Sequence, residues 1–296
     1  LDDASLLSEC YGSMGIFYKR RGDYVTALNF YEKALTLAKK IGDPNWEAAC
    51  YVNAGNVHRR TGNFVKALDY YLKALEFFEQ SDEHRRVAVS YMNIGDLYDE
   101  QGDREKADEY YSKALKISQS AGDNLMTMKG YLNLGASLLS QDKFSESRAY
   151  LNNFISLAES TGYHQDLDEC YRLLGLSFLG TGDTEEATGY FSRAISQAEK
   201  EGDQVTKSST LINLAEGYEL QKRYSEALNA ANQGLDISLA TGEITTATEA
   251  YRLMIDLLEM LNRQREALTL YRKYSILKDS LFDAEKYRAL ADMQTK

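Results

Sequence analysis

Asn53, Asn93, Asn133 and Asn213 are spaced by multiples of forty residues. An amide offers a donor and an acceptor together, so a row of amides can hydrogen-bond a peptide main chain regardless of its side chains. The bland alternative is that each Asn caps or braces a neighbouring turn. The three histidines, His58, His84 and His164, share no i, i+4 spacing, and no Cys-x-x-Cys exists, so a metal site lacks ligands. There is no Gly-rich phosphate loop, no Gly-x-Ser-x-Gly elbow and no His-Glu-x-x-His, and Gly180-Thr181-Gly182 reads as a turn. The carboxylates mostly alternate with Lys, the pattern of solvated helix faces. No catalytic residue, metal or cofactor is therefore expected, and any catalytic output would lie outside this chain.

The elements that position the asparagines repeat with the same period. Tyr11, Tyr51, Tyr91, Tyr131, Tyr171 and Tyr251 form one column, with Leu211 in the remaining slot. Gly15, Gly55, Gly95, Gly135 and Gly175, then Ala215 and Ile255, form a second; Ala27, Ala67, Ala107, Ser147, Ala187, Ala227 and Ala267 a third. A ring column follows with Tyr31, Tyr71, Tyr111, Leu151, Phe191, Ala231 and Tyr271. The register holds over seven units. Within a unit apolar residues recur at helical spacing, as in Leu28, Tyr31, Leu35 and Ala38. Gly-Asp pairs such as Gly22-Asp23 and Gly42-Asp43 punctuate most units: glycine ends one helix in the left-handed conformation and aspartate caps the next. Each unit thus predicts two antiparallel helices of roughly 16–18 residues. Most of the 22 tyrosines fall in recurring columns and read as packing. Cys10, Cys50 and Cys170 share a column with Ser90, Gly130, Thr210 and Ala250, so they read as small buried fillers rather than a disulfide framework.

A net charge of −11 argues against a phosphate-backbone binder, so no nucleic-acid partner is expected. No apolar run approaches a membrane span, and direct membrane insertion is not expected. The chain opens Leu1-Asp2-Asp3, with neither Met nor a signal peptide, and reads as a fragment or a processed product.

The columns resemble the tetratricopeptide repeat, carried by Tyr11-Gly15-Tyr18 with Ala27-Tyr31-Ala34. The match spans about residues 4–283, in the longer forty-residue variety without the family's late proline. It implies an all-α, right-handed superhelical solenoid whose concave wall is built from the first helix of each pair. The expected organisation is one solenoid over 1–296, with repeats at about 4–43, 44–83, 84–123, 124–163, 164–203, 204–243 and 244–283 and a C-terminal capping helix at 284–296. In groove-binding members the Asn column faces inward onto the main chain of an extended peptide. The groove projected here contains Asn53, Asn56, Arg59, Arg60, Asn93, Asp96, Asn133, Leu139, Arg172, Asn213 and Glu216. Those positions, with Lys19, Arg20, Asp99, Glu100 and Glu219, give a basic mouth, an apolar middle and an acidic far end, or else random charge on a solvated wall.

The tail, Leu277-Lys278-Asp279-Ser280-Leu281-Phe282 onward, resembles the junction in Bacteroidota-type tetratricopeptide sensors, where a repeat domain leads to a histidine kinase or a DNA-binding output. The expected function is a protein- or peptide-binding module, the sensory or interaction domain of a bacterial signalling regulator. The alternative is a cytoplasmic adaptor or peptide-responsive scaffold with no membrane role. The sensor resemblance implies a periplasmic location, and an exposed final helix leaves room for self-association.

Overall fold

Each turn of this chain needs one residue in the left-handed conformation, and the sequence meets that need every twenty positions from Gly22 to Asn262. Nine of these residues are glycines, from Gly22 (φ 77°) to Gly242 (φ 79°). Where glycine is missing, Asp82, Asp142, Lys222 and Asn262 adopt the same conformation at φ 56–61°, at about 1 kcal/mol each. The next residue caps the following helix. The Asp23 carboxylate accepts from the Thr26 N–H at 3.1 Å, and Asp43 from Trp46 at 3.0 Å. Pro44 occupies the first turn of its helix, where no intrahelical donor is lost.

The computed structural model describes the backbone of residues 2–294 and the side chains of residues 3–279. Among the described residues all regular structure is α-helical. The order is α1 (Asp2–Arg20), α2 (Tyr24–Ile41), α3 (Pro44–Arg60), α4 (Phe64–Gln80), α5 (His84–Glu100), α6 (Arg104–Ser120) and α7 (Asn124–Leu139). Then come α8 (Phe144–Thr161), α9 (Leu167–Gly180), α10 (Thr184–Glu201), α11 (Gln204–Leu220), α12 (Tyr224–Thr241), α13 (Ile244–Met260) and α14 (Gln264–Gln294). They form two compact units, residues 1–137 and 138–296. In the first unit α1, α3 and α5 each pack on the second helix of their own hairpin and also touch one another. The second helices make no such contact with each other among the described residues, so the first helices form the tighter inner wall. The second unit repeats the arrangement with α9, α11 and α13.

The glycine column exists because of the ring column. A Cβ on Gly15 would lie 2.5 Å from the Tyr31 ring, one on Gly95 2.5 Å from Tyr111, and one on Gly175 2.4 Å from Phe191. Where the ring is replaced by Ala231, its partner is Ala215. In the last hairpin the partner is Ile255, and Tyr271 is 57% exposed where Tyr31 is 1% exposed. The tyrosines behave as packing residues: Tyr18 stacks on Phe30 and Tyr98 on Tyr110, each at 5.5 Å between centroids.

Three expectations change. Helix α9 begins only at Leu167, after Asp166 at φ 63°. Helix α14 runs unbroken from Gln264 to Gln294, because no glycine follows Gly242 to set a separate final helix apart. The side chains of the capping segment expected at 284–296 lie outside the described ones. Cys50 and Cys170 are buried fillers, and burial pushes the Cys50 thiol up to about 12, but Cys10 is exposed. No helix in the described residues is long and apolar enough to cross a membrane.

Candidate functional site

The asparagine row of the first unit lies on successive first helices: Asn53 on α3, Asn93 on α5 and Asn133 on α7. Each is half-buried. Their side chains make no hydrogen bond among the described residues. Asn53 also lines a groove with Ala49, Val52, Phe78, Arg85, Arg86 and Val89, so its amide sits beside apolar walls and two guanidinium groups.

Around this row the other wall residues pair internally. Arg59 Nη1 lies 2.7 Å from Asp96 Oδ2 and 3.6 Å from Glu100 Oε1. Burial opposes the Arg59 charge, but Asp96 and Glu100 outweigh it and hold the guanidinium above its usual range. The Tyr71 hydroxyl donates to Asn56 Oδ1 at 2.7 Å, and the Tyr111 hydroxyl to Asp96 Oδ1 at 3.0 Å. Arg59 is therefore a neutralised cation. Lys19 lies close to two other cations: burial, then the Arg60 and Arg20 charges, lower its pKa.

In the second unit Leu139 is half-buried at the end of α7. Arg172 donates twice to Glu169, from Nε at 2.7 Å and Nη2 at 2.6 Å. Asn213 lies beside Glu216, and its Oδ1 is buried without a partner among the described residues. Burial raises the Glu216 pKa against the opposing pull of Arg252, and burial with Asp256 raises that of Glu219. Glu169 and Arg252 are wall residues that sequence reasoning missed, although the i, i+3 spacing of Glu169 and Arg172 was a usable signal. A roomy depression in this unit lies over Met254 and Leu258, between α12 and α14, and no member of the Asn column lines it. No group of three His, Cys, Asp or Glu among the described residues could hold a metal ion.

The wall can thus offer unused amides in one unit and a carboxylate-rich surface in the other. A family model described as the MalT-like TPR region matches residues 2–215. Among curated proteins no match is found. Solved structures share the fold. Aspartyl phosphate phosphatase F from Bacillus subtilis superposes with a TM-score of 0.75 at 14% identity, over 93% of this chain and 71% of that one. The apo quorum sensor NprR from B. thuringiensis gives 0.72 at 18% identity, over 90% and 75%. The Rap conjugation gene regulator of plasmid pLS20, solved with the Phr* peptide, gives 0.63 at 18% identity, over 93% and 74%.

Proposed function

The chain belongs to the MalT-like TPR family, and from that premise we propose that it is a peptide-binding module whose first-helix wall holds an extended segment by its main chain. One observation carries the reading: Asn53, Asn93 and Asn133 are half-buried on successive first helices and leave their amides unused among the described residues. An unmade hydrogen bond forgoes about 1 kcal/mol, and more where the group is shielded from water. A peptide main chain offers the matching donors and acceptors. The likeness to a regulator solved with a peptide and to a quorum sensor supports a sensory or interaction role in a bacterial signalling regulator. We read the chain as a binder rather than an enzyme, because the charged groups beside the asparagine row are engaged within the wall, as Arg59 is by Asp96.

The test begins with selection of binders from a library of extended peptides on the whole chain. Replacing Asn93 and Asn133 by Ala together should weaken the selected peptides by about tenfold or more while leaving the melting temperature nearly unchanged. Equal affinity in the double variant would remove the main-chain clamp.

A further inference from the structure

One position before the ring column, the second helix of most hairpins carries another aromatic residue: Phe30, Tyr70, Tyr110, Tyr150 and Tyr190. Phe30 packs beside Tyr11 and Tyr18, at 6.0 and 5.5 Å between centroids, and Tyr190 beside Tyr171 and Phe178, at 6.3 and 5.3 Å. Tyr70 meets Tyr51 and His58, and Tyr110 meets Tyr91 and Tyr98, in the same way. A cation three residues on lies over each of these four rings: Lys33, Lys73, Lys113 and Arg193, at 4.6–5.7 Å. The hairpin of α11 and α12 lacks the set. Ala230 stands in place of the ring, Gln233 in place of the cation and Leu211 in place of one flanking ring, while Tyr218 keeps the other. A cavity of about 360 Å³ lies there, lined by Leu211, Tyr218, Ala230 and Gln233 and reaching Ser192 on α10. Ser192 holds the column of Glu32, whose charge acts on Tyr70 in a filled slot, so the cavity takes the missing ring's position. Arg223 lies over the Tyr218 ring at 4.2 Å and is itself held by Glu226, which fixes that ring as a wall. The next hairpin repeats the relation: Leu270 replaces the ring, and a cavity of about 500 Å³ lies over Met254 and Leu258. The slot at Ala230 has packed helices on both sides, α10 before it and α13 after it, so it is a feature of the array's interior.

We propose that the slot at Ala230 is a binding site for an aromatic side chain, Phe or Tyr, of a partner polypeptide. The chain itself shows what the slot accepts, since four other hairpins fill it with such a ring. A planar ring gains stacking on Tyr218 beyond the apolar area it covers on Leu211 and Leu214. The source is a polypeptide because the slot is shallow: Phe30, Tyr70, Tyr110 and Tyr190 all stay half-exposed in theirs. A free ring held on so little surface gains little against the freedom it loses. A ring borne on a main chain adds hydrogen bonds to the amides of Asn229 and Gln233, which are exposed at the rim and offer donors and acceptors together. The site makes no use of Asn53, Asn93 or Asn133 and stands apart from the main-chain clamp.

Two probes and two variants of the whole chain test this. Ala230→Tyr supplies the ring from within and should raise the melting temperature by about 3 °C. A variant no more stable than wild type would show that the slot does not have a ring's shape, and overturns the proposal. The first probe is p-cresol, the tyrosine side chain as a free molecule, followed by NMR of the Ile195, Leu211 and Leu214 methyl groups that line the slot. It should bind with a Kd of about 1–10 mM, weakened about tenfold or more by Ala230→Tyr and about fivefold by Tyr218→Ala, which removes a wall. Methyl signals that do not shift, or equal binding to wild type and Ala230→Tyr, overturn the proposal. The second probe is the blocked tripeptide acetyl-Gly-Tyr-Gly-amide, which should bind about tenfold more tightly than p-cresol, whereas acetyl-Gly-Ala-Gly-amide should leave the methyl signals in place. A tyrosine tripeptide that binds no more tightly than p-cresol overturns the choice of a polypeptide and assigns the slot to a small aromatic molecule.

Discussion

Arg59 on α3 and Asp96 on α5 meet at 2.7 Å, and the same carboxylate accepts the Tyr111 hydroxyl through its other oxygen at 3.0 Å. One side chain thereby satisfies a guanidinium from the hairpin before it and a phenol from its own. Arg59 Nε is buried without a partner among the described residues, so the guanidinium depends on Asp96 and, more distantly, on Glu100. Asp96→Ala should cost about 2 kcal/mol, below the value for a fully buried pair because the Asp96 side chain is 34% exposed. Denaturant midpoints would measure the loss. A double-mutant cycle with Arg59→Met should return a coupling of about 1 kcal/mol, and a coupling near zero would mean the pair does not hold the two hairpins together.

Three equivalent tyrosines give an internally controlled series. Tyr71 and Tyr111 donate to Asn56 and Asp96, each one residue beyond the glycine that faces the ring. Opposite Tyr31 that position is Ile16, and the Tyr31 hydroxyl is buried without a partner among the described residues, its pKa pushed up to about 12 by burial. Tyr71→Phe and Tyr111→Phe should each cost about 1 kcal/mol, Tyr111 the more because its acceptor is charged. Tyr31→Phe should be neutral or stabilising. Thermal melts of the three variants settle the order, and a loss for Tyr31→Phe equal to the others would contradict it.

Gly95→Ala sets intrinsic helix propensity against packing. Alanine favours the helix by about 1 kcal/mol, yet its Cβ would lie 2.5 Å from the Tyr111 ring. The ring is 5% exposed, and such overpacking costs about 1–3 kcal/mol or more. Net destabilisation of about 1–2 kcal/mol is expected. Truncating the ring in the background of Gly95→Ala should recover the clash term, a positive coupling readable by urea unfolding. Independent, additive losses would show that glycine is not there for the ring.

The forty-residue register was legible because a few columns recur from unit to unit, so Gly15 and Tyr31, Gly55 and Tyr71 announce each other. Turns at Asp142 and Lys222 were less legible, because any L-residue can be forced left-handed for about 1 kcal/mol and leaves no signature. The Asn column was visible as spacing alone. Its surroundings were not: Arg59 pairs with Asp96 thirty-seven residues away, one repeat less three, which no i, i+4 rule encodes. Reading Arg59 as a ligand-facing cation missed that neutralisation. The exposed Cys10 was missed for the opposite reason, since column identity predicts a buried site only where another helix covers it.

Asp168 stands in a column otherwise filled by Ser8, Ala48, Ala88, Met128 and Ser208, all buried, and by the half-buried Thr248. It is 3% exposed; Oδ1 accepts the Glu169 N–H at 2.8 Å and Oδ2 has no partner among the described residues. Burial pushes its pKa from 3.8 to about 6; the Glu169 N–H opposes the rise, while the Glu201, Asp203 and Glu169 charges add to it. Arg172, whose charge feels Asp168, is held by Glu169 on the same helix. Because the folded pKa lies above the unfolded one, the stabilising contribution is fully present below 3.8 and is lost as pH rises through about 6. At neutral pH the ionised carboxylate therefore costs about 3 kcal/mol. Asp168→Asn should raise the stability of residues 138–296 by about that much above pH 7, with the advantage shrinking as pH falls through the folded pKa. Paired denaturation curves for wild type and variant across this range read the effect directly, and a gap that does not change with pH would show that Asp168 does not titrate there.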